Sequence, residues 1–469
     1  MTTLATLQNM HLDSLEYIQK HAPFLFPVNN AAYQQSKNLT KSAKTFNQLI
    51  LAAGLAGLPQ HSIGFSGVKP LTGPADSHIC FEFDQSAGGW YFMYGEAGNM
   101  RFTYLIFRTA VSVTKHGADD VIYSIVGGFD NGTKWIPIPL NASPAKYYCT
   151  DGKVDFTYTS SNVSSTFSIS NDKNRVIKGT VKPTNSKNPS DVPSFSFTLN
   201  AQEAGKYNSV NGGCVPICFG GVGTSYWSYT NMTCTISSNN RTSEKGTGWF
   251  DHQWLSGGIP RGLLQQLLYS WTTGGDSQLR WLWFTMQLDD GRQFMGSVAG
   301  IKESQLPLKE GDSFTTYLNK YHKDDLRYGI KTTLKVLETV KYKEYTFPTS
   351  YEIKTSEGET FNLVRSNKNS IDIVNLPMGS VNWEGSGVVT SSSGKYLGIG
   401  FLEANNLLTN AQLIKRVLSE NGMKNTSLQL YGVSGTRGKI VTIGLGVLLL
   451  LYFVGIIFLL VFIVKQSRK

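Results

Sequence analysis

The chain has 469 residues, with 47 glycines, 12% aromatic residues and only 16% charged residues, a balance that suits short strands and tight turns better than charged amphipathic helices. Its length allows two or three domains. The net charge of +10 does not point to nucleic acid, because Arg437, Lys439, Lys465, Arg468 and Lys469 supply half of it around one apolar stretch and no dense basic run occurs elsewhere.

Residues 1–45 read as a helical lead-in, with Leu12, Leu15, Ile18 and His21 near helical spacing. Met1 to Phe26 lacks a basic region followed by an apolar core and a small-residue cleavage site, so no signal peptide is expected. Residues 46–245 form a first β-rich block. In it Trp90-Tyr-Phe-Met-Tyr94, Arg101 to Arg108, Val154 to Thr159 and Phe195 to Leu199 are strand-like and punctuated by Gly, Asn and Asp. The Gly220-Gly-Val-Gly223 run lacks the Lys-Ser/Thr that completes a phosphate loop and reads as a strand-entry turn. Lys182 to Pro193 reads as an exposed loop.

A second block spans residues 246–432. Leu279 to Leu288, an Asp-Asp-Gly turn, and Gln293 to Val298 predict a hairpin. Tyr345 to Ile353, Phe361 to Val364, Ser370 to Val374, Trp383 to Val389 and Tyr396 to Glu403 continue the meander. A helix is expected over 406–421, on the spacing of Leu408, Leu413, Ile414 and Val417. Residues 440–464 carry no charge, and a helix needs roughly 20 such residues to cross a bilayer. A single C-terminal transmembrane helix is therefore expected. The default topology is tail-anchored, with the body in the cytosol and the lumenal or extracellular side as the alternative.

Two features favour that alternative. Glycosylation sequons stand at Asn38, Asn131, Asn141, Asn162, Asn231, Asn240 and Asn425. The cysteines, Cys80, Cys149, Cys214, Cys218 and Cys234, read as buried or disulfide-linked. No His lies near the last three in sequence, so no metal site is expected.

Five segments together resemble the tandem lipocalin-like family of AttH-like proteins, carotenoid 1,2-hydratases and fungal Diels–Alderase-type cyclases. They are Gly89-Trp-Tyr-Phe with Phe107-Arg108, Gly221 to Thr230, Gly246-Thr-Gly-Trp-Phe-Asp-His-Gln-Trp254, Trp281 to Arg292, and Trp383-Glu-Gly with Gly398 to Glu403. The resemblance covers roughly residues 75–405. It implies a mainly β fold of two consecutive lipocalin-like antiparallel barrels, with an apolar pocket in or between them. Leu282 and Gln253 stand where that family commonly carries acids.

Alternation puts Trp249, Asp251 and Gln253 on one face of a strand and Phe250, His252 and Trp254 on the other. An acid among aromatic groups is desolvated and keeps its proton, so Asp251 could protonate an alkene while an indole face stabilises the cation. Glu384 and Glu403 are the candidate partners. Trp249, Trp254, Trp281, Trp283, Trp383, Tyr91 and Tyr226 are candidate ligand-binding groups. The first functional expectation is a membrane-anchored protein that binds an apolar lipid or isoprenoid without a cofactor. The alternatives are a hydratase or cyclase using Asp251, and a non-catalytic structural membrane protein.

Overall fold

The computed structural model describes residues 74–409, apart from 82–85, 111–120, 185–190, 209–213, 218–221, 257–279, 376–380 and a few shorter gaps, together with isolated positions outside that range. The expected lead-in helix, the 406–421 helix and the 440–464 span lie outside the described residues almost entirely. No described helix is long and apolar enough to cross a membrane.

The described chain is almost all strand. The first sheet is built from β1 (Ser86–Ala97), β2 (Met100–Ala110), β3 (Val121–Asp130), β4 (Trp135–Pro137), β5 (Asn141–Ser143), β6 (Ala145–Thr150), β7 (Lys153–Thr159), β8 (Val163–Ile169), β9 (Val176–Pro183), β10 (Phe195–Ala201), β11 (Lys206–Tyr207), β12 (Cys214–Ile217), β13 (Val222–Ser238) and β14 (Arg241–Ser256). Its main path runs β4-β3-β2-β1-β14-β13-β10-β9-β8-β7-β6. The second sheet holds β15 (Trp281–Leu288), β16 (Gln293–Ala299), β17 (Ser313–Tyr321), β18 (Arg327–Tyr342), β19 (Tyr345–Thr355), β20 (Thr360–Arg365), β21 (Ile373–Asn375), β22 (Val381–Ser391) and β23 (Tyr396–Asn405).

Period-two patterning decides both cores. Strands β7, β8 and β10 bury alternate residues, and Phe156, Phe167 and Phe197 enter one apolar cluster with Tyr91, Phe102 and Phe250. Phe102 stacks on Phe197 at 4.2 Å and Phe129 on Phe195 at 4.8 Å, so the first sheet curls over its own inner face. In the second sheet β20 pairs with β22, which closes an eight-stranded ring β20-β19-β18-β17-β16-β15-β23-β22. Side chains such as Leu282, Phe284, Leu334, Tyr351, Trp383 and Leu402 fill it. The expected hairpin is β15–β16. Its turn needs Gly291 at φ +87°, a left-handed conformation that costs glycine little.

Two expectations are corrected. One barrel closes, whereas no described strand pair closes the first sheet, whose ends are β4 and β6. The Gly246–Trp254 motif, expected to open the second block, lies on β14, which pairs with β1 and β13 in the first sheet. The cysteine pattern also resolves in part: Cys80 and Cys149, 69 positions apart, form a disulfide, while Cys234 is buried as a free thiol.

Candidate functional site

The outer face of the closed barrel packs on the outer face of the first sheet, and the functional candidates meet along this seam. On the barrel side, strand register lays out a grid. Trp283, Glu403 and Glu384 sit side by side across β15, β23 and β22. Trp281, Asn405 and Asn382 form the next row, and Thr285, Phe401 and Ser386 the row beyond. These residues point outward because their neighbours Leu282, Phe284, Trp383, Leu402 and Ala404 point into the barrel core.

The facing row on the first sheet runs Val126, Leu105, Phe92, Asp251 and Ser228 across β3, β2, β1, β14 and β13. Phe92, Tyr94, Tyr226, Trp249, Trp283 and Phe401 join in one apolar cluster that spans both sheets. Phe92 meets Trp283 edge-on at 5.6 Å, and Trp249 meets Trp283 at 6.3 Å.

Asp251 is 4% exposed in this aromatic setting. Burial pushes its carboxyl up from 3.8 to about 7, although three donors work against that rise. Tyr226 Oη donates to Oδ2 at 2.7 Å; Trp249 Nε1 donates to Oδ1 at 2.6 Å, and the Ser228 hydroxyl donates to the same oxygen. The chain of bonds continues across the seam to the outer face of the barrel. Asn208 Nδ2 donates to Ser228 Oγ at 2.5 Å, and Tyr321 Oη of β17 donates to Asn208 Oδ1 at 2.6 Å.

Across the seam, Glu384 and Glu403 are cross-strand neighbours with raised carboxyl pKa values, chiefly through burial. The charge of Glu403 opposes ionisation of Glu384, and the charge of Asp251 in turn opposes ionisation of Glu403. Trp281 Nε1 donates to Glu403 at 2.7 Å, and Asn382 Nδ2 bridges Glu403 at 3.1 Å and Glu384 at 3.0 Å. Four buried polar atoms of the grid have no hydrogen-bond partner among the described residues: Trp283 Nε1, Glu384 Oε2, Asn382 Oδ1 and Asn405 Oδ1. Buried polar groups are normally paired, so this cluster is where polar atoms of a guest would be met. Trp90, stacked on Phe107 at 5.6 Å, keeps part of its surface exposed at the same seam, as do Trp281 and Glu403.

Other contacts fix the two faces together. Arg101 of β2 pairs with Asp130 at 2.8 Å and with Asp372 from the barrel side at 3.0 Å. Gln287 Nε2 donates to Thr230 O and Gly248 O, both at 2.8 Å, where an irregularity interrupts the β13–β14 register between Tyr229 and Met232. A side-chain amide thus serves carbonyls beside a break in the ladder.

Of the residues singled out from the sequence, Asp251, Glu384, Glu403, Trp249, Trp281, Trp283 and Tyr226 come together at the seam. Three do not. Trp254 and Tyr91 lie in the inner core of the first sheet, and Trp383 lies inside the barrel. His252 is also on the inner side, among Tyr91, Trp227 and Trp254, with its ring nitrogens 3.3 Å from the carbonyls of Trp90 and Cys80. Burial lowers it from 6.5 to about 3. Sequence reasoning missed Ser228, Asn208, Tyr321 and Gln287. Ser228 shares a strand face with Tyr226 and was within reach of the alternation argument; Asn208 and Tyr321 are joined to the site only by tertiary folding.

No family model matches the sequence, and no curated protein matches it. Among solved structures the fold is similar to that of an AttH-type protein from Nitrosomonas europaea, at 15% identity and a TM-score of 0.48, covering 73% of this chain and 98% of that one. It is also similar to kievitone hydratase from Nectria haematococca, at 11% identity and a TM-score of 0.41, covering 74% of this chain and 99% of that one. Both likenesses concern the path of the chain and assign no activity.

Proposed function

We propose that the seam between the open sheet and the barrel takes up an apolar, unsaturated molecule and adds water across one of its double bonds, with Asp251 as the acid. The observation that carries this reading is a buried carboxyl whose pKa burial raises to about 7, facing the cross-strand pair Glu384 and Glu403 across an aromatic layer. A desolvated acid with a pKa near the working pH is suited to general acid catalysis.

In the proposed step the Asp251 O–H bond breaks and a C–H bond forms on the alkene. The cation left on the neighbouring carbon lies against the faces of Trp249 and Trp283, where the ring quadrupole favours it. Water then forms the C–O bond and passes a proton to Glu403, and solvent exchange restores the proton on Asp251. The net change is alkene plus water to alcohol. If the cation instead loses a proton from a neighbouring carbon, the same site isomerises or cyclises its substrate. The apolar stretch at 440–464 would hold the body beside the bilayer, the phase into which such substrates partition.

One observation favours a second reading, in which the seam binds such a molecule without changing it. Both Asp251 oxygens already accept hydrogen bonds within the protein. The two readings separate on one experiment. Full-length protein in lipid nanodiscs is extracted with organic solvent, and bound apolar molecules are identified by mass spectrometry and returned to the protein in heavy water. Hydration places one deuterium on carbon, and Asp251→Asn is expected to slow it by about 100-fold or more. Unchanged turnover by Asp251→Asn removes Asp251 from the mechanism. Retained binding with no deuterium incorporation supports the second reading, and an extract free of any apolar ligand sinks both.

A further inference from the structure

We infer that the β body lies on the lumenal or extracellular side of its membrane and carries N-linked glycans at Asn131 and Asn162. This is the opposite side from the tail-anchored expectation. The first ground is the Cys80–Cys149 disulfide, which joins the segment before β1 to β6. Structural disulfides form and persist in oxidising compartments and are rare where glutathione keeps thiols reduced.

The second ground is where the fold displays two of the sequons. Asn131-Gly-Thr133 forms the connection between β3 and β4, with Gly132, Thr133 and Lys134 exposed. Asn131 Oδ1 accepts from the Thr133 hydroxyl at 2.6 Å and from the amides of Thr133 at 3.1 Å and Lys134 at 3.3 Å. The sequon is therefore already folded back on itself, with the hydroxyl on the amide oxygen and the amide nitrogen as the group left to react. Asn162-Val-Ser164 starts at the exposed turn between β7 and β8, where Ser161 and Asn162 are both exposed. The Asn162 turn contributes nothing to the seam cluster, whereas the Asn131 turn lies at the margin of the seam, between Asp130, which pairs with Arg101, and Trp135, which donates to Ile373 O. Asn231 differs: it sits within β13, and its Nδ2 donates to Glu203 at 3.2 Å.

The modification needs a sugar donor activated as a lipid-linked pyrophosphate, the class that secretory compartments supply. The asparagine Nδ2 forms a bond to the anomeric carbon, the bond from that carbon to the pyrophosphate oxygen breaks, and one amide proton is released. Both the donor and the oxidising conditions occur on one side of the membrane, so the disulfide and the sequons give independent readings of a single placement.

The test uses the full-length chain in cultured eukaryotic cells, lysed in an alkylating reagent that traps any free thiol. Peptide mapping is expected to recover Cys80 and Cys149 as one linked pair. Glycosidase release in heavy-oxygen water is expected to mark Asn131 and Asn162 as labelled aspartates. Asn131→Gln and Asn162→Gln should each remove one step of the mobility shift, and the double variant both. Unlabelled Asn131 and Asn162, or recovery of Cys80 and Cys149 as alkylated free thiols, overturns the placement. Because the linked pair and the labelled sites are read on the wild-type chain, misfolding of a variant does not affect the decision.

Discussion

The two faces of β14 bury one titratable group each, adjacent in sequence and opposite in chemistry. Asp251 looks out toward the barrel, among three hydrogen-bond donors and two further carboxyls; His252 looks in, among aromatic rings and two backbone carbonyls. Burial drives both toward their neutral forms, so the acid keeps its proton and the base gives its proton up. The difference lies in what each neutral group can then do. Neutral His252 has one N–H for two carbonyl neighbours and no acidic partner at hand, so it serves packing. Asp251 holds a proton beside an aromatic layer containing unmet polar atoms, which is an arrangement suited to chemistry.

The largest effect that would break this comparison is in stability against pH. Asp251 has a raised pKa in the folded state, so its contribution is fully present below about 4 and is lost as pH rises through about 7, a loss on the order of 4 kcal/mol. His252 has a lowered pKa, so its contribution is present above 6.5 and is lost as pH falls toward about 3, on the order of 5 kcal/mol. Between about 4 and 6.5 the two slopes oppose. Chemical denaturation at a series of pH values should show a near-flat profile there for the wild type. Asp251→Asn should expose a rising slope, and His252→Gln a falling one. Parallel profiles for all three proteins would mean that the two faces do not titrate as described.

A smaller effect sharpens the contrast by loosening only the outer face. Gln287→Leu removes the amide that serves Thr230 O and Gly248 O. Leaving buried carbonyls unpaired should cost about 2 kcal/mol in the denaturation midpoint, with the His252 slope unchanged. The smallest is Ser228→Ala, which deletes one donor to Asp251 and so removes a force that lowers its pKa. The Asp251 limb of the pH profile should move upward by about one pH unit, and a downward move would contradict the hydrogen-bond assignment.

Much of this arrangement was legible in the sequence because strand alternation is a local rule. The opposed faces of Trp249/Asp251 and Phe250/His252, and the Asp-Asp-Gly hairpin, follow from spacing of two and from a turn that glycine favours. Strand order is not a local property. Nothing in Gly246–Trp254 says that β14 pairs with β1 across more than 150 residues. The same limit applies to the tryptophans. Size and aromaticity mark Trp249, Trp254, Trp283 and Trp383 equally, and only register distinguishes those at the seam from those in the two cores. Asn208 and Tyr321 carried no signal, because a polar residue becomes part of a relay only once the fold sets it beside one.

The disulfide has a mechanical consequence for the unclosed sheet. The barrel is shut all round by hydrogen bonds, each of them individually weak and readily re-formed. In the first sheet, β6 is an end strand that pairs, among the described residues, with β7 alone, yet it carries Cys149. That cysteine is bonded to Cys80, whose carbonyl lies against His252 on β14, near the middle of the sheet. The loose margin is thus riveted to the centre by one covalent link. Reduction would leave the barrel a sealed drum and turn β6–β7 into a flap, the first part of the body to exchange its amide hydrogens with water.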